Sequence, residues 1–184
     1  MANNWKVENG KLQVHHGFTL IELLIVLAIL GVLSSIVLVS FRSSQTRGSD
    51  AGRKSDLKQV ATALELFYSD YGKYPASNAT GQILACPYTH TTSSGTPCTW
   101  GGSIAFWDNK TTYMKAVPKD PDSSYSYRYR VDSTGQKFQL FAHLGNTRDI
   151  NLIAPPLSPI LYCGGTNICN FAVTSPNTTP AESL

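Results

Sequence analysis

Charge is scarce over one long stretch of this chain. From Phe18 to Phe41 the sequence runs for 24 residues with Glu22 as its single charged side chain. Net charge is low as well: 15 Lys and Arg stand against 12 Asp and Glu, a formal +3, which builds no strong field for nucleic acid. No Gly-rich phosphate loop and no nucleophile elbow occurs, so nothing points to nucleotide-dependent or serine-hydrolase chemistry. Neither pair of neighbouring cysteines has Cys-x-x-Cys spacing, which argues against a thiolate zinc site. There is no internal repeat and only one long apolar run, which excludes a solenoid and a multi-span transporter. What is present is globular: 42% of residues are hydrophobic, too many for a disordered chain. The roughly 140 residues that follow the apolar run are enough to fold as one domain.

Twenty-four helical residues reach about 36 Å, more than the ~30 Å hydrocarbon layer of a bilayer. A cleaved secretory signal has a shorter apolar stretch and a small-residue site behind it, and Ser40-Phe41-Arg42-Ser43 is no such site. The pattern predicts a membrane-inserting helix over 18–41. Glu22 then costs a few kcal/mol unless it is paired or protonated. It is either a charge near the end of the span that reaches the interface or the partner of a positive charge. A cut just before Phe18 would create such a charge, an α-amine about one turn away with a reference pKa near 8. A carboxylate in the first turn also suits the helix dipole.

The run from Gly17-Phe18-Thr19-Leu20-Ile21-Glu22 through Leu33 resembles the prepilin signature of type IV pilins and type II secretion pseudopilins. The resemblance implies cleavage after Gly17 by a membrane prepilin peptidase, N-methylation of Phe18, and pairing of Glu22 with the terminal amine of a neighbouring subunit during filament assembly. It implies an α+β pilin fold: a long hydrophobic N-terminal helix continues into an amphipathic helix packed on a small antiparallel β-sheet. Two positions depart from the pattern: His15-His16 stand where the family has Lys or Arg, and Val39 stands where many pilins have a kinking Pro. The charge-asymmetry rule for membrane topology also dissents. Lys6 and Lys11 precede the span, while Arg42, Arg47, Arg53, Lys54 and Lys58 follow it. The cysteines and the signature favour export, with the N-terminus cytoplasmic.

Beyond the span, Leu57, Val60, Ala61, Leu64, Phe67, Tyr68 and Tyr71 recur at spacings of three and four, an amphipathic helix stripe that ends at Gly72 with Pro75 beyond. Arg53, Lys54, Lys58, Glu65 and Asp70 lie mostly off the stripe, as in a half-buried helix packed on a sheet. Gly48 and Gly52 predict a soft join to the apolar helix. Residues 55–75 and Tyr113–Pro121 are similar to the same regions of major pseudopilins. Between them, 72–110 reads as a long surface connection pinned by Trp100, Phe106 and Trp107. Alternation over Tyr125–Val131 and again over Phe138–Leu144, around the turn Asp132-Ser133-Thr134-Gly135, predicts an antiparallel hairpin with one face buried and one solvated. The tyrosines beside Arg128 and Arg130 could stack on nucleic acid, but the low net charge disfavours it.

Cys86, Cys98, Cys163 and Cys169 allow three pairings in an exported domain, and local pairing, Cys86 with Cys98 and Cys163 with Cys169, is the expectation. The resemblance raises a calcium site in the loop Gly145-Asn146-Thr147-Arg148-Asp149. One Asp beside an Arg is a poor oxygen cage, so no metal is expected there and no cofactor elsewhere. His90 and His143 are isolated, and the sequons at Asn78, Asn109 and Asn177 are short motifs in a Thr-rich chain. Asp120 and Asp122 flank a proline in a turn, a structural use. The expected organisation is a leader over 1–17, a filament-core helix over 18–41, a periplasmic or extracellular domain over 42–173 and a flexible tail over 174–184. The expected partners are further copies of the chain in a helical filament, the peptidase, the inner-membrane assembly machinery, and lipid before assembly. The rival readings are a minor tip subunit and a membrane-anchored adhesin with its binding face on the 76–112 loop.

Overall fold

A computed structural model describes residues 17–89, 94–102, 106–108, 110–153, 157 and 159–184, with only the helical backbone over 35–40. The leader before Gly17, His90, Asn109, Pro155 and Pro156 lie outside the described residues. The chain forms two compact units, residues 1–42 and 43–184.

Helix α1 runs over Leu20–Tyr71. It is helical at Gly48 and Gly52, with no break where the sequence suggested a soft join. A single glycine without packing demands lowers helix propensity by about 1 kcal/mol, too little to interrupt a helix flanked by good formers. Gly72 ends it with φ +67°, donating its amide to the Tyr68 carbonyl at 2.7 Å, a left-handed cap that only glycine takes without strain. In the first unit the side chains of the apolar block face outward: Phe18 is 93% and Leu20 89% exposed. Among the described residues no helical segment is long and apolar enough to cross a membrane. The unbroken run of described helical side chains in the block is Leu20 to Ser34, which rises only about 22 Å, short of the ~30 Å needed.

In the second unit, the stripe Leu57, Val60, Leu64 and Phe67 is fully buried, as its spacing predicts. It shares one core with a three-stranded antiparallel sheet of order β5-β6-β7, formed by Arg128–Val131, Phe138–Ala142 and Phe171–Thr174. The β5–β6 hairpin matches the sequence expectation, and its turn closes through Asp132, whose Oδ1 accepts the Gln136 and Lys137 amides. The solvated face does not match. Every residue of β6 is buried, because β6 is the central strand and both of its faces are covered. Leu140 and Tyr129 join the helix core, while Phe141 joins a second cluster with Leu157, Cys163 and Cys169.

The 72–110 stretch is more structured than its composition suggests. It contains β1 (Leu84–Thr89) paired with β2 (Ser94–Pro97), and β3 (Phe106–Trp107), which pairs with β4 (Thr112–Met114). Phe106 and Tyr88 pack their rings on Phe67, and Trp100 meets Tyr127 edge-on at 5.5 Å. Aromatic burial of this kind outweighs the local Thr, Ser and Gly preference for turns. Residues 174–184 lie along the far face: Ser175 exchanges bonds with the Phe138 backbone, and Gln139 Nε2 donates to the carbonyls of Thr179 and Glu182 at 2.7 and 2.8 Å.

Candidate assembly and processing site

The site at the start of α1 is built by four residues. Gly17, Phe18 and Thr19 are non-helical and exposed, and among the described residues, chain neighbours aside, none comes within 4 Å of where a Gly17 side chain would begin. Thr19 is the N-cap and Glu22 occupies the third helical position, a capping box. Glu22 Oε2 accepts from the Thr19 amide at 2.9 Å and from its hydroxyl at 2.8 Å, while Thr19 Oγ1 accepts the Glu22 amide at 3.3 Å. The carboxylate thus already reaches back along the chain to the amide next to Phe18. Hydrolysis before Phe18 would place an ammonium one residue from that bond. The sequence placed Glu22 near the new terminus but did not reveal that Thr19 holds its carboxylate there, although the Thr-x-x-Glu spacing is the legible mark of it.

The sequence missed the buried ion group of the second unit. Arg53, which lies off the apolar helix stripe, is 3% exposed. Its guanidinium grips Asp120 with two parallel bonds of 2.8 Å and donates to Asp50 at 2.8 Å. Asp50 also accepts the Gly145 and Asn146 amides at 3.0 and 2.8 Å. One arginine thereby ties α1 to the 118–122 turn and the 145–149 loop. Asp120 has the structural role its turn suggested.

In the loop raised as a calcium candidate, the Asp149 carboxylate is engaged by Lys54 Nζ at 2.6 Å and by the Asn151 amide at 2.9 Å. Among the described residues no cluster of metal-ligating side chains occurs. Disulfides join Cys86 to Cys98 and Cys163 to Cys169. His143 stacks on Tyr125, with Nδ1 2.7 Å from the Ile168 carbonyl. The Asn78 and Asn177 amides are used in local bonds to Gln82 and to the Gln136 carbonyl. The tyrosines proposed for stacking are unavailable: Tyr127 and Tyr129 are fully buried, donating to Asp56 and to the Pro75 carbonyl.

The profile of the prokaryotic N-terminal methylation motif matches residues 13–38, the segment that holds Gly17, Phe18 and Glu22. The type II secretion system core protein G of Pseudomonas aeruginosa is 32% identical over 126 residues, 68% of this chain and 80% of that protein. The chain belongs to the type IV pilin and type II secretion pseudopilin family. The type IV major pilin protein PilA of Myxococcus xanthus is 42% identical over 60 residues, 33% of this chain and 27% of that pilin. The fimbrial protein EcpC of Eikenella corrodens is 40% identical over 73 residues, 40% of this chain and 48% of its own length. No solved structure matches significantly. The long helix and small antiparallel sheets are those of the α+β pilin fold, and the chain is a pilin or pseudopilin subunit.

Proposed function

We propose that this chain is the structural subunit of a helical filament, a type IV pilus or a type II secretion pseudopilus, and that it polymerises through its N-terminal helix. The carrying observation is the capping box: it holds the Glu22 carboxylate on the Thr19 amide, one residue past the peptide bond whose hydrolysis would create a charged terminus. Cleavage by prepilin peptidase after Gly17, with water completing the new carboxyl and amino ends, leaves a 167-residue subunit beginning at Phe18, which is then N-methylated. The leader removes Lys6, Lys11 and Glu8, so the net charge falls to +2. Before assembly the subunit sits in the inner membrane, N-terminus cytoplasmic, with its apolar helix in lipid. In the filament the same outward-facing residues meet copies of themselves through heterologous contacts. Glu22 pairs there with the terminal amine of a neighbour.

The longer alignment with a core protein G favours the pseudopilus arm. The adhesin reading is weakened, since Tyr88, Phe106 and Trp100 of 76–112 pack inward on Phe67 and Tyr127 rather than facing a ligand. Neither a catalytic role nor a cofactor is assigned.

Intact mass and N-terminal sequencing of the protein from expressing cells test the reading. A methylated Phe18 terminus supports it, and an uncut Met1 form sinks it. Imaging of purified filaments then separates a long pilus from a short pseudopilus. Glu22→Ala should abolish or sharply reduce polymerisation while the membrane-held monomer stays folded, and filaments formed at normal yield would remove the pairing role.

A further inference from the structure

The far face of the sheet carries a feature that the assembly site does not use. Arg128 and Arg130 are two residues apart on β5, so they project from one face, the face of their cross-strand partners Phe141 and Gln139. With Asn78, Pro159 and Leu161 they line a groove of about 310 Å³. Arg128 is held in place: its Nε donates to the Tyr162 carbonyl at 2.9 Å, and its stem lies so close to Gly81 that a Cβ there would stand 2.5 Å from Arg128 Cδ. Its terminal nitrogens, and the whole Arg130 guanidinium, make no hydrogen bond or ion pair to any described residue. Burial, and then the charge of Arg128, both press against the charged form of Arg130. Among the described residues no acidic side chain pairs with either arginine, and the terminal Leu184, which lines the same groove, makes no ion pair with them. Two half-buried like charges so placed are unfavourable, and an arriving carboxylate relieves both, with the fork geometry of guanidinium suited to it.

An apolar patch adjoins the groove. Ile160, Tyr162 and Ile168 are all exposed, Tyr162 and Ile168 are bridge partners, and the Cys163–Cys169 disulfide closes the hairpin that presents them. We propose that the Arg128–Arg130 groove and this patch form one docking surface for an acidic peptide segment of another protein. Carboxylates enter the groove and a flanking apolar side chain lies on Tyr162 and Ile168. Nucleic acid fits less well, because Tyr162 is the one exposed ring of the patch and the neighbouring Tyr127 and Tyr129 rings are buried, whereas a single strand stacks successive bases on several rings. Inorganic phosphate would use the arginines and leave the patch idle. The surface is independent of the filament reading and stands or falls without it.

The test is fluorescence anisotropy on the full chain in non-ionic detergent micelles, with a labelled peptide Glu-Leu-Glu-Phe-Glu and its Gln-Leu-Gln-Phe-Gln counterpart. The acidic peptide should bind in a salt-sensitive way and about tenfold more tightly than the neutral one. Arg130→Gln should weaken it about tenfold and Arg130→Lys less, while Ile168→Ser should weaken both peptides alike. Thermal melting checks that each variant is folded. Equal binding of the two peptides, indifference to Arg130→Gln, or binding by the unmutated chain that does not fall with salt would each overturn the proposal. So would displacement of the peptide by equimolar phosphate or by a single-stranded oligonucleotide.

Discussion

Arg53 shows how much a single side chain can settle in the globular unit. Its five donors sit between two buried carboxylates, and one of those carboxylates also accepts two loop amides. Arg53→Leu would leave Asp50 and Asp120 as uncompensated buried charges, which costs about 3–5 kcal/mol. Urea unfolding of the full chain in detergent should show that loss, while Lys58→Ala, on an exposed position, should stay within about 0.5 kcal/mol. Thr19 offers the complementary case. Thr19→Ala removes the two hydroxyl bonds, one to the Glu22 carboxylate and one from the Glu22 amide, and costs about 1 kcal/mol of helix start; the carboxylate keeps only the backbone amide bond and can still meet an amine. Sheared-filament yield should therefore survive Thr19→Ala and fail in Glu22→Ala. Equal loss in both would mean that Glu22 matters as a cap rather than as an ion partner.

At the scale of elements, the disulfides separate the two outer layers. Cys86–Cys98 spans 12 residues and clamps β1 to the chain leaving β2, whereas Cys163–Cys169 spans 6 and clamps the hairpin on the far face. Loop-closure entropy gives about 3 kcal/mol for the first and somewhat above 2 for the second. Paired Cys→Ser replacements should therefore lower the urea midpoint in that order, and the reverse order would show that native packing, not chain entropy, sets the contribution. These elements also show where sequence reading works. The α1 stripe and the β5–β6 hairpin were legible because each buries one face, and a single face leaves a periodic trace. Arg53 was not, because its partner Asp120 lies 67 positions away and periodicity carries nothing about a polar residue paired at that distance. The fully buried β6 escaped for a related reason: its second cover comes from residues 157–184, whose Pro, Gly and Thr content reads as loop. At the candidate assembly site, Gly17, Phe18 and Glu22 were legible as a motif, and only the bond geometry of Thr19 had to await the fold.

The whole globular unit carries a pH signature set by its tyrosines. Burial first, and then the bond to Asp108, push the Tyr71 hydroxyl up to about 12, and burial likewise moves Tyr74, Tyr113, Tyr127 and Tyr129 well upward, with Glu65, Asp70 and Asp56 adding to the first three. Each folded-state value lies above the ordinary one near 10, so the stability these groups contribute is complete below that pH and is lost as pH rises through the folded values. On the acid side the sign is opposite. Burial pushes the Asp108 carboxyl up, but the Thr111 amide, the Tyr71 hydroxyl and the Lys110 amide outweigh it and hold the group at about 2. Its contribution is present above the ordinary carboxylate range near 4 and disappears as pH falls toward 2. The urea midpoint should therefore be flat between about pH 5 and 9 and fall on both sides, steeply above 10 where several phenols titrate together. Tyrosinate absorbance should rise with the loss of structure rather than ahead of it. Tyr127→Phe isolates the cause: it removes the bond to Asp56 and lowers the plateau, yet one ionising group fewer makes the alkaline fall shallower. An alkaline limb of unchanged steepness in that variant would mean that Tyr127 ionisation has no part in the fall.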